Sequence, residues 1–251
     1  MAEEHSVRAG MTLEAIDLDL SNDAPPAEIL AMIEESDRRI DALFTSGGNR
    51  EVPRYMPSDP ELFYRVLKTI TERNLPLGRV FCEWGCGFGI CACIAAKLGY
   101  EAYGIELDSR MAQEARSLVE DLGVPVEVLE TSYVPDGFDS YSGMGGEVLI
   151  KDHEMLSGDS HFAPALNYDG MERDIAEIDI VFVYPWPLEQ AFMQELFDEI
   201  ADEGALLITF HKSGEILAFR KVLDESEDEA EQLLEHGSDE ESYWGFSLTE
   251  D

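Results

Sequence analysis

The sequence predicts an α/β fold in which helices cover both faces of a mostly parallel sheet, so that the structure has three layers. Short apolar runs typical of buried strands alternate along the chain with amphipathic stretches typical of helices. A glycine turn connects the run at 80–84 directly to a helix, as parallel strands require. An alternating run at 215–222 and a last strand candidate at 243–248 predict a C-terminal antiparallel hairpin.

Pattern and composition divide the chain into three parts. Residues 1–50 are predicted to form an N-terminal helical extension, whose first 23 residues are weakly patterned and loose. Residues 51–222 carry the strands and helices of the α/β core. Residues 223–251 are predicted to form an acidic loop and the last strand.

The core is predicted in detail from its apolar periodicity. Its first helix begins at Ser58, where Ser58 and Glu61 form a capping box. Residues 134–177 are punctuated by glycine and show no clear amphipathic helix before Met171, so they are predicted to be a long, irregular insertion. Strands are predicted at 80–84, 102–105, 124–129, 178–184 and 205–210, and further helices at 90–98, 109–122 and 188–202.

The unit at 79–108 is a strand, a glycine turn, a helix and a second strand. Gly85, Gly87 and Gly89 follow the first strand at every second position. Glycine lets a backbone turn tightly and lets a ligand lie against bare main chain. The helix after the turn points its free N–H groups at that ligand. The unit therefore predicts a ligand site at this edge of the sheet.

Both strands of the unit end in an acidic residue, Glu83 and Glu106. Glu106 lies 21 positions after Gly85, where a ribose-binding acid is expected in such a unit. A site for NAD would read Gly-x-Gly-x-x-Gly, but Ile90 stands at the sixth position, and Glu83 would repel a pyrophosphate. A ligand with a ribose, a positive charge and no phosphate suits these residues, and S-adenosylmethionine has all three properties.

The segments Glu-x-Gly-x-Gly-x-Gly and Gly-Ile-Glu-Leu-Asp resemble those of the class I, seven-strand, Rossmann-like S-adenosylmethionine-dependent methyltransferases. The resemblance covers residues 58–210. It implies that the first acid and the glycines hold the methionine end of the cofactor, and that the second acid holds its ribose. Cys86 and Leu107 lie within the same two segments. The alternative is a nucleotide-free unit whose glycines serve only packing. The cofactor residues predicted here are Glu83, Gly85, Cys86, Gly87, Gly89, Glu106 and Leu107.

Two other segments are similar to cofactor contacts of this family. Tyr55 and the residues up to Ser58 resemble a Tyr-Val-Pro-Thr segment of some lysine methyltransferases, which implies that Tyr55 lies along the methionine end. Ser132 and Tyr133 follow the third strand, where the family usually touches the adenine. The alternative for the first segment is a proline-rich stretch that only leads into a helix, and the alternative for the second is an ordinary turn.

The fourth strand leads into Tyr184-Pro185-Trp186-Pro187, at the sheet edge that faces ligands. Amino-methylating relatives often carry Asp or Asn, two prolines and an aromatic residue there, and Tyr184 replaces the amine-gripping acid or amide. Pro185 and Trp186 are predicted to form a rigid wall that binds the acceptor, although a purely structural turn is an equal alternative. Tyr184 and His211, which follows the fifth strand, are predicted to be catalytic residues near the transferred methyl group.

The predicted reaction is an in-line methyl transfer from S-adenosylmethionine to a small molecule or a protein side chain. Two rival functions belong to other classes. A non-catalytic cofactor-binding or regulatory module would keep Glu83 and Glu106 but would lack an open acceptor pocket. An acidic interaction protein would act through residues 222–251.

The formal net charge of −37 bears on the partners. Residues 222–251 contain twelve Asp or Glu and no Lys or Arg, yet the remainder still has 42 acidic against 17 basic residues. A nucleic-acid substrate is not expected, because phosphate backbones need a basic footprint. An acidic surface that maintains solubility is the simplest interpretation, beside a salt-rich cell interior or a cationic partner.

No metal site is predicted. The four cysteines, Cys82, Cys86, Cys91 and Cys93, lie in the central unit without the spacing of paired zinc ligands, so core packing is expected. Cys86 stands at a helix N-terminus, where the pKa of a thiol is expected to fall. The first ten residues are charged and no apolar run spans a bilayer, so we expect no signal peptide, no membrane contact and a cytoplasmic location.

Overall fold

The computed structural model describes residues 13–20, 23–45, 56–135, 168–186, 189–211 and 214–222. These ranges contain seven strands and five α-helices. The strands are β1 (Leu13–Ile16), β2 (Val80–Trp84), β3 (Glu101–Glu106), β4 (Val126–Glu130), β5 (Ile180–Val183), β6 (Leu206–Phe210) and β7 (Ile216–Lys221). The helices are α1 (Ala27–Thr45), α2 (Pro60–Glu72), α3 (Ile90–Lys97), α4 (Ser109–Leu122) and α5 (Gln190–Ile200).

The seven strands form one sheet in the order β1-β7-β6-β5-β2-β3-β4. All pairs from β6 to β4 are parallel, whereas β7 is antiparallel to both of its neighbours. The predicted α/β fold, mostly parallel with an antiparallel hairpin at the C-terminal end, is therefore confirmed. The partner strand of that hairpin is β6, which a short turn connects to β7.

The N-terminal strand β1 is the main difference from the sequence prediction. Residues 13–16 were expected to be loose, but they pair with β7 from Leu13↔Lys221 to Ile16↔Ala218. Because β7 lies between β6 and β1, both of its edges are occupied. The predicted pairing of 216–222 with 243–248 is therefore wrong, and residues 243–248 themselves lie outside the described ranges.

Two apolar clusters pack on opposite faces of the sheet and produce the three layers. Side chains of α1, α2 and α3 pack with one set of strand residues, including Phe81 and Phe182. Side chains of α5 pack with the alternate set, including Trp84 and Val183. This alternation is the two-residue period of a strand with both faces buried. Since Glu83 alternates with Trp84, it points to the face of α3.

The N-caps of two helices were predicted from the sequence, and one of these two predictions is wrong. Asp59, not Ser58, is the N-cap of α2, and its carboxylate accepts the N–H of Leu62. The reason is that Pro60 occupies the first helical position, which it favours. The predicted cap of α4 is confirmed, since Asp108 accepts the N–H groups of Arg110 and Met111. Within the described ranges, no helix combines the length and the apolar character needed to cross a bilayer.

Candidate cofactor and acceptor site

A cavity of about 410 Å³ opens at the carboxyl ends of β3, β2 and β5. Parallel strands present these ends at one edge, which is where ligands bind in open α/β sheets. The strand order places the residues after β3 at one end of the cavity and those after β5 at the other. The predicted site residues on its wall are Glu83, Gly85, Cys86, Gly87, Glu106, Leu107, Ser132, Tyr133, Tyr184 and Trp186.

The glycine turn forms the floor between these two ends. Gly85, Gly87 and Gly89 have φ angles of 70°, 55° and 74°, in the left-handed region that favours glycine. The N–H of Cys86 donates to the carbonyl of Ile105 over 2.8 Å, and Gly89 N–H donates to Cys86 O over 2.7 Å. Gly89 does not line the cavity; it is the residue from which α3 begins.

Glu106 connects β3 to the glycine turn. Its two carboxylate oxygens accept the main-chain N–H groups of Gly87 and Asp108, each over 2.9 Å. Burial raises the pKa of this carboxyl, while these two hydrogen bonds oppose the rise. A carboxylate oxygen has two lone pairs, so both oxygens can still accept a hydroxyl group. Glu106 is thus fixed in position and has acceptor capacity left for a ligand diol.

Glu83 lies deeper, with only 6% of its surface exposed. Its Oε2 accepts the N–H of Ala92 in α3 over 3.0 Å. Burial raises the pKa of its carboxyl to about 8, and the nearby negative charge of Glu106 adds to the rise. A cationic ligand group would offset both effects, so this carboxyl favours a positively charged ligand.

We expect Glu83→Gln to change how stability depends on pH. The unfolded chain loses this proton near pH 4.5 and the folded chain only near pH 8, so the free energy of unfolding falls as pH rises between them. The glutamine side chain of the variant does not titrate, so the variant lacks this pH dependence. The free energy of unfolding of both proteins is measured with denaturant at several pH values. The value for the variant minus the value for the native protein should rise with pH, by up to about 1.4 kcal/mol per pH unit between pH 5 and 8. A difference that is constant across this range would contradict the raised pKa.

The four cysteines are free and buried, as the sequence predicts. The expectation that the pKa of the Cys86 thiol falls is wrong, because burial and the charges of Glu83 and Glu106 raise it well above its usual value. Gly104 in β3 makes room for this thiol, since a Cβ on Gly104 would lie 2.8 Å from Cys86 Sγ. In the described ranges, no group of three or more His, Cys, Asp or Glu is arranged to hold a metal ion.

Two stacked aromatic rings line the cavity, one at the end of β2 and one after β4. The rings of Trp84 and Tyr133 stack with centroids 5.9 Å apart and planes 16° from parallel. Ser132 is fixed beside them, because its hydroxyl oxygen accepts the N–H of Val134 over 3.0 Å. The stacked pair and Ser132 thus belong to the wall of the same cavity as Glu106.

The β5 end holds two of the four predicted acceptor and catalytic residues. Tyr184 and Trp186 line it, and the Tyr184 ring packs edge-to-face on Phe210 with centroids 4.8 Å apart. Burial raises the pKa of the Tyr184 hydroxyl, so this group is a hydrogen-bond donor at neutral pH. Pro185 and His211 do not line the cavity. The His211 Nε2 lies 2.9 Å from Thr209 Oγ1, and its catalytic role stays a prediction without a contact in its support.

Sequence reasoning missed several residues of the cavity wall. Glu189 is the most notable, because it is an acid with only 7% of its surface exposed. Met56, Asp108 and Met111 also line the cavity. Glu189 precedes α5 in a sequence rich in acids, so no local signal separates it from exposed neighbours. Tyr55 lies outside the described residues, as does most of the predicted insertion at 134–177.

The chain matches known proteins among solved structures, at low sequence identity. Neither a scan of protein-family models nor a search of curated proteins found a match. Among solved structures, the RNA methyltransferase of Salinibacter ruber with S-adenosyl-L-homocysteine is 15% identical at a TM-score of 0.44, over 67% of this chain and 95% of that one. A Podospora anserina methyltransferase with bound S-adenosylhomocysteine is also 15% identical, at 0.41, over 74% and 63%.

A third similar structure is a 16S rRNA methyltransferase of Thermus thermophilus, solved with S-adenosylmethionine and guanosine. It is 14% identical at a TM-score of 0.41, over 68% of this chain and 45% of that one. All three of these structures hold S-adenosylmethionine or S-adenosylhomocysteine.

Proposed function

We propose that this chain binds S-adenosylmethionine in the cavity and transfers its methyl group to a small molecule or a protein side chain. One observation carries the proposal: Glu83 is the last but one residue of β2 and Glu106 is the last residue of the neighbouring parallel strand β3, and the N–H of Gly87 in the left-handed glycine turn donates to Glu106. These groups suit a ligand that has a diol at one end and a positive charge at the other.

The chemistry of the residues fits each part of this ligand. Glu106 accepts the two ribose hydroxyls, and hydrogen bonds to a charged group contribute about 1.5–3 kcal/mol. The carboxyl of Glu83 faces the α-ammonium group, which favours its ionised form. The bare main chain at Gly85 and Gly87 lets the methionine portion approach the floor of the cavity.

When bound, S-adenosylmethionine supplies a sulfonium that makes its methyl carbon electrophilic. The task of the chain is to align the acceptor with that carbon and to exclude water. Alignment of two reactants can supply about 7–11 kcal/mol of a barrier. Tyr184 and Trp186 form the wall against which the acceptor is held.

The charge of the cavity also bears on the acceptor. Its described lining contains the carboxyl groups of Glu83, Glu106, Asp108 and Glu189, and no Lys, Arg or His. Together with the net charge of −37, this arrangement disfavours a polyanionic nucleic acid, because its approach releases few counterions and is opposed by repulsion. A small molecule or a protein side chain is therefore the proposed acceptor class.

A labelling screen tests this function. The full chain is incubated with S-adenosylmethionine tritiated in its methyl group and with separate pools of metabolites, proteins, RNA and DNA. We expect label in the metabolite or protein pool, and Glu106→Ala should reduce it. Label confined to RNA or DNA would contradict the proposed acceptor class.

A further inference from the structure

We infer, on the basis of the proposed function, that Cys91 and Ser58 are positioning residues for Glu83. The Ser58 hydroxyl and the Cys91 thiol form a hydrogen-bond network that ends at the Glu83 carboxyl and holds it ready for the α-ammonium group of the cofactor. This Glu83 network, made of Ser58, Cys91 and Glu83, connects the segment before α2, the first turn of α3 and the end of β2.

The first turn of α3 brings two donors to the Glu83 carboxyl. The N–H groups at the start of a helix have no partner within it, and that of Ala92 donates to Glu83 Oε2 over 3.0 Å. The Cys91 thiol shares a side-chain hydrogen bond with the same carboxyl. Burial raises the pKa of Glu83, and these two bonds oppose the rise. Both donors therefore favour the ionised carboxylate, which is the form that binds a cation.

Ser58 extends the Glu83 network to the cavity wall. Its Oγ lies 3.4 Å from Cys91 Sγ, a hydrogen-bond distance for sulfur. Ser58 and Glu83 line the cavity, whereas Cys91 is fully buried and does not. The thiol thus has an oxygen partner on each side, and it can act on a ligand only through them.

The direction of these two bonds follows from the pKa of the Cys91 thiol. Burial and the charge of Glu83 raise this pKa well above its usual value, so the thiol keeps its proton. The bond with Glu83 raises it further, as expected where the S–H donates to a carboxylate. The bond with Ser58 lowers it, as expected where the sulfur accepts an O–H. Both hydrogens therefore point towards Glu83 and stabilise its negative charge.

Other titratable groups also face Glu83. They are Cys82 and Cys86 from β2 and its turn, Glu106 from β3 and Cys93 from α3. On β5, the residue opposite Glu83 is the apolar Phe182. Cys93 is as buried as Cys91 and lies in the same helix, but Glu83 acts on its thiol through charge alone. Cys93 is therefore a neighbour of equal burial that is not part of the Glu83 network.

Cys91→Ala removes the thiol donor, whereas Cys91→Ser replaces it with a hydroxyl donor. Affinity for S-adenosylhomocysteine is measured by calorimetry on the full chain at neutral pH. We expect Cys91→Ala to weaken binding roughly three- to tenfold, the effect of one weak hydrogen bond to a charged group. Cys91→Ser should restore affinity to within about twofold of native. Cys93→Ala is the matched control and should bind like the native chain.

The pH dependence of this loss distinguishes the Glu83 network from simple packing. Without the thiol donor the pKa of Glu83 rises further, so ionising the carboxyl for the ligand costs more. That cost disappears in both proteins once the pH exceeds the pKa. The Kd of Cys91→Ala divided by the native Kd should therefore be largest near about pH 6 and fall towards one by about pH 9.

A second probe, 5′-methylthioadenosine, keeps the ribose and the base of the cofactor but lacks its amino-acid end. Cys91→Ala should bind this probe like the native chain, which also shows that the variant is folded. Native-like affinity of Cys91→Ala for S-adenosylhomocysteine, an equal loss for both ligands, or a loss that does not vary with pH would overturn the inference while native binding upholds the cofactor site. Failure of the native chain to bind S-adenosylhomocysteine would instead remove the proposed function, and the inference with it.

Discussion

Gly87→Val is expected to abolish binding of S-adenosylhomocysteine, with a loss of more than a hundredfold measured by calorimetry. Gly87 has a φ angle of 55°, which a β-branched residue adopts only with strain. Relief of that strain would move the N–H that donates to Glu106. If the turn held, the added side chain would occupy the cavity floor against which the ligand lies.

Gly123→Val provides the control for backbone strain. Gly123 has a similar φ angle of 59° and ends α4, outside the cavity lining, with no atom within 4 Å of an added Cβ. Both variants should therefore lose stability through backbone strain, and only Gly87→Val should lose the ligand. Native-like affinity in Gly87→Val would show that the turn does not contact the cofactor.

Glu106→Ala is expected to weaken binding of S-adenosylhomocysteine by roughly ten- to a hundredfold, which corresponds to the loss of charge-assisted hydrogen bonds to the ribose. Part of the effect arises within the protein, because the N–H groups of Gly87 and Asp108 also lose their acceptor. Glu106→Gln keeps one acceptor oxygen and should bind with intermediate affinity. Calorimetric titration of both variants measures these changes.

Glu130→Ala is the matched control for Glu106. Glu130 lies opposite Glu106 in the register of β3 and β4, at the end of the neighbouring strand. Its carboxylate interacts with Ser109 and Arg116, and it does not line the cavity. This variant should bind the ligand like the native chain. The same affinity in Glu106→Ala as in Glu130→Ala would remove Glu106 from the site.

The glycine turn and its two acids could be predicted from sequence because their signals are local. Three glycines at alternate positions have few structural uses, and all three have the positive φ angles that the pattern implies. The acids at 83 and 106 lie at or next to the ends of their strands, and the parallel register of β2 and β3 brings the strand ends together. The local sequence pattern and the sheet topology together therefore determine where these residues lie in the site.

The pairing of β1 and the position of Glu189 on the cavity wall could not be predicted, because both depend on distant parts of the chain. β1 is four residues long, and its pairing with β7 crosses nearly the whole chain from Leu13 to Lys221. Glu189 looks like any acid before a helix until the sheet places it on the cavity wall. The error for the Cys86 thiol has a similar cause, because the helix N-terminus is visible in the sequence and the burial that dominates its pKa is not.

Calorimetric titration of the full chain with S-adenosylhomocysteine, and separately with NAD, tests the central claim most directly. The described cavity lining contains acidic residues and no Lys or Arg, so it should exclude the pyrophosphate of NAD, whereas Glu106 suits the ribose of S-adenosylhomocysteine. We expect one S-adenosylhomocysteine to bind per chain and NAD not to bind at the same concentrations. Binding of NAD with no binding of S-adenosylhomocysteine would contradict it.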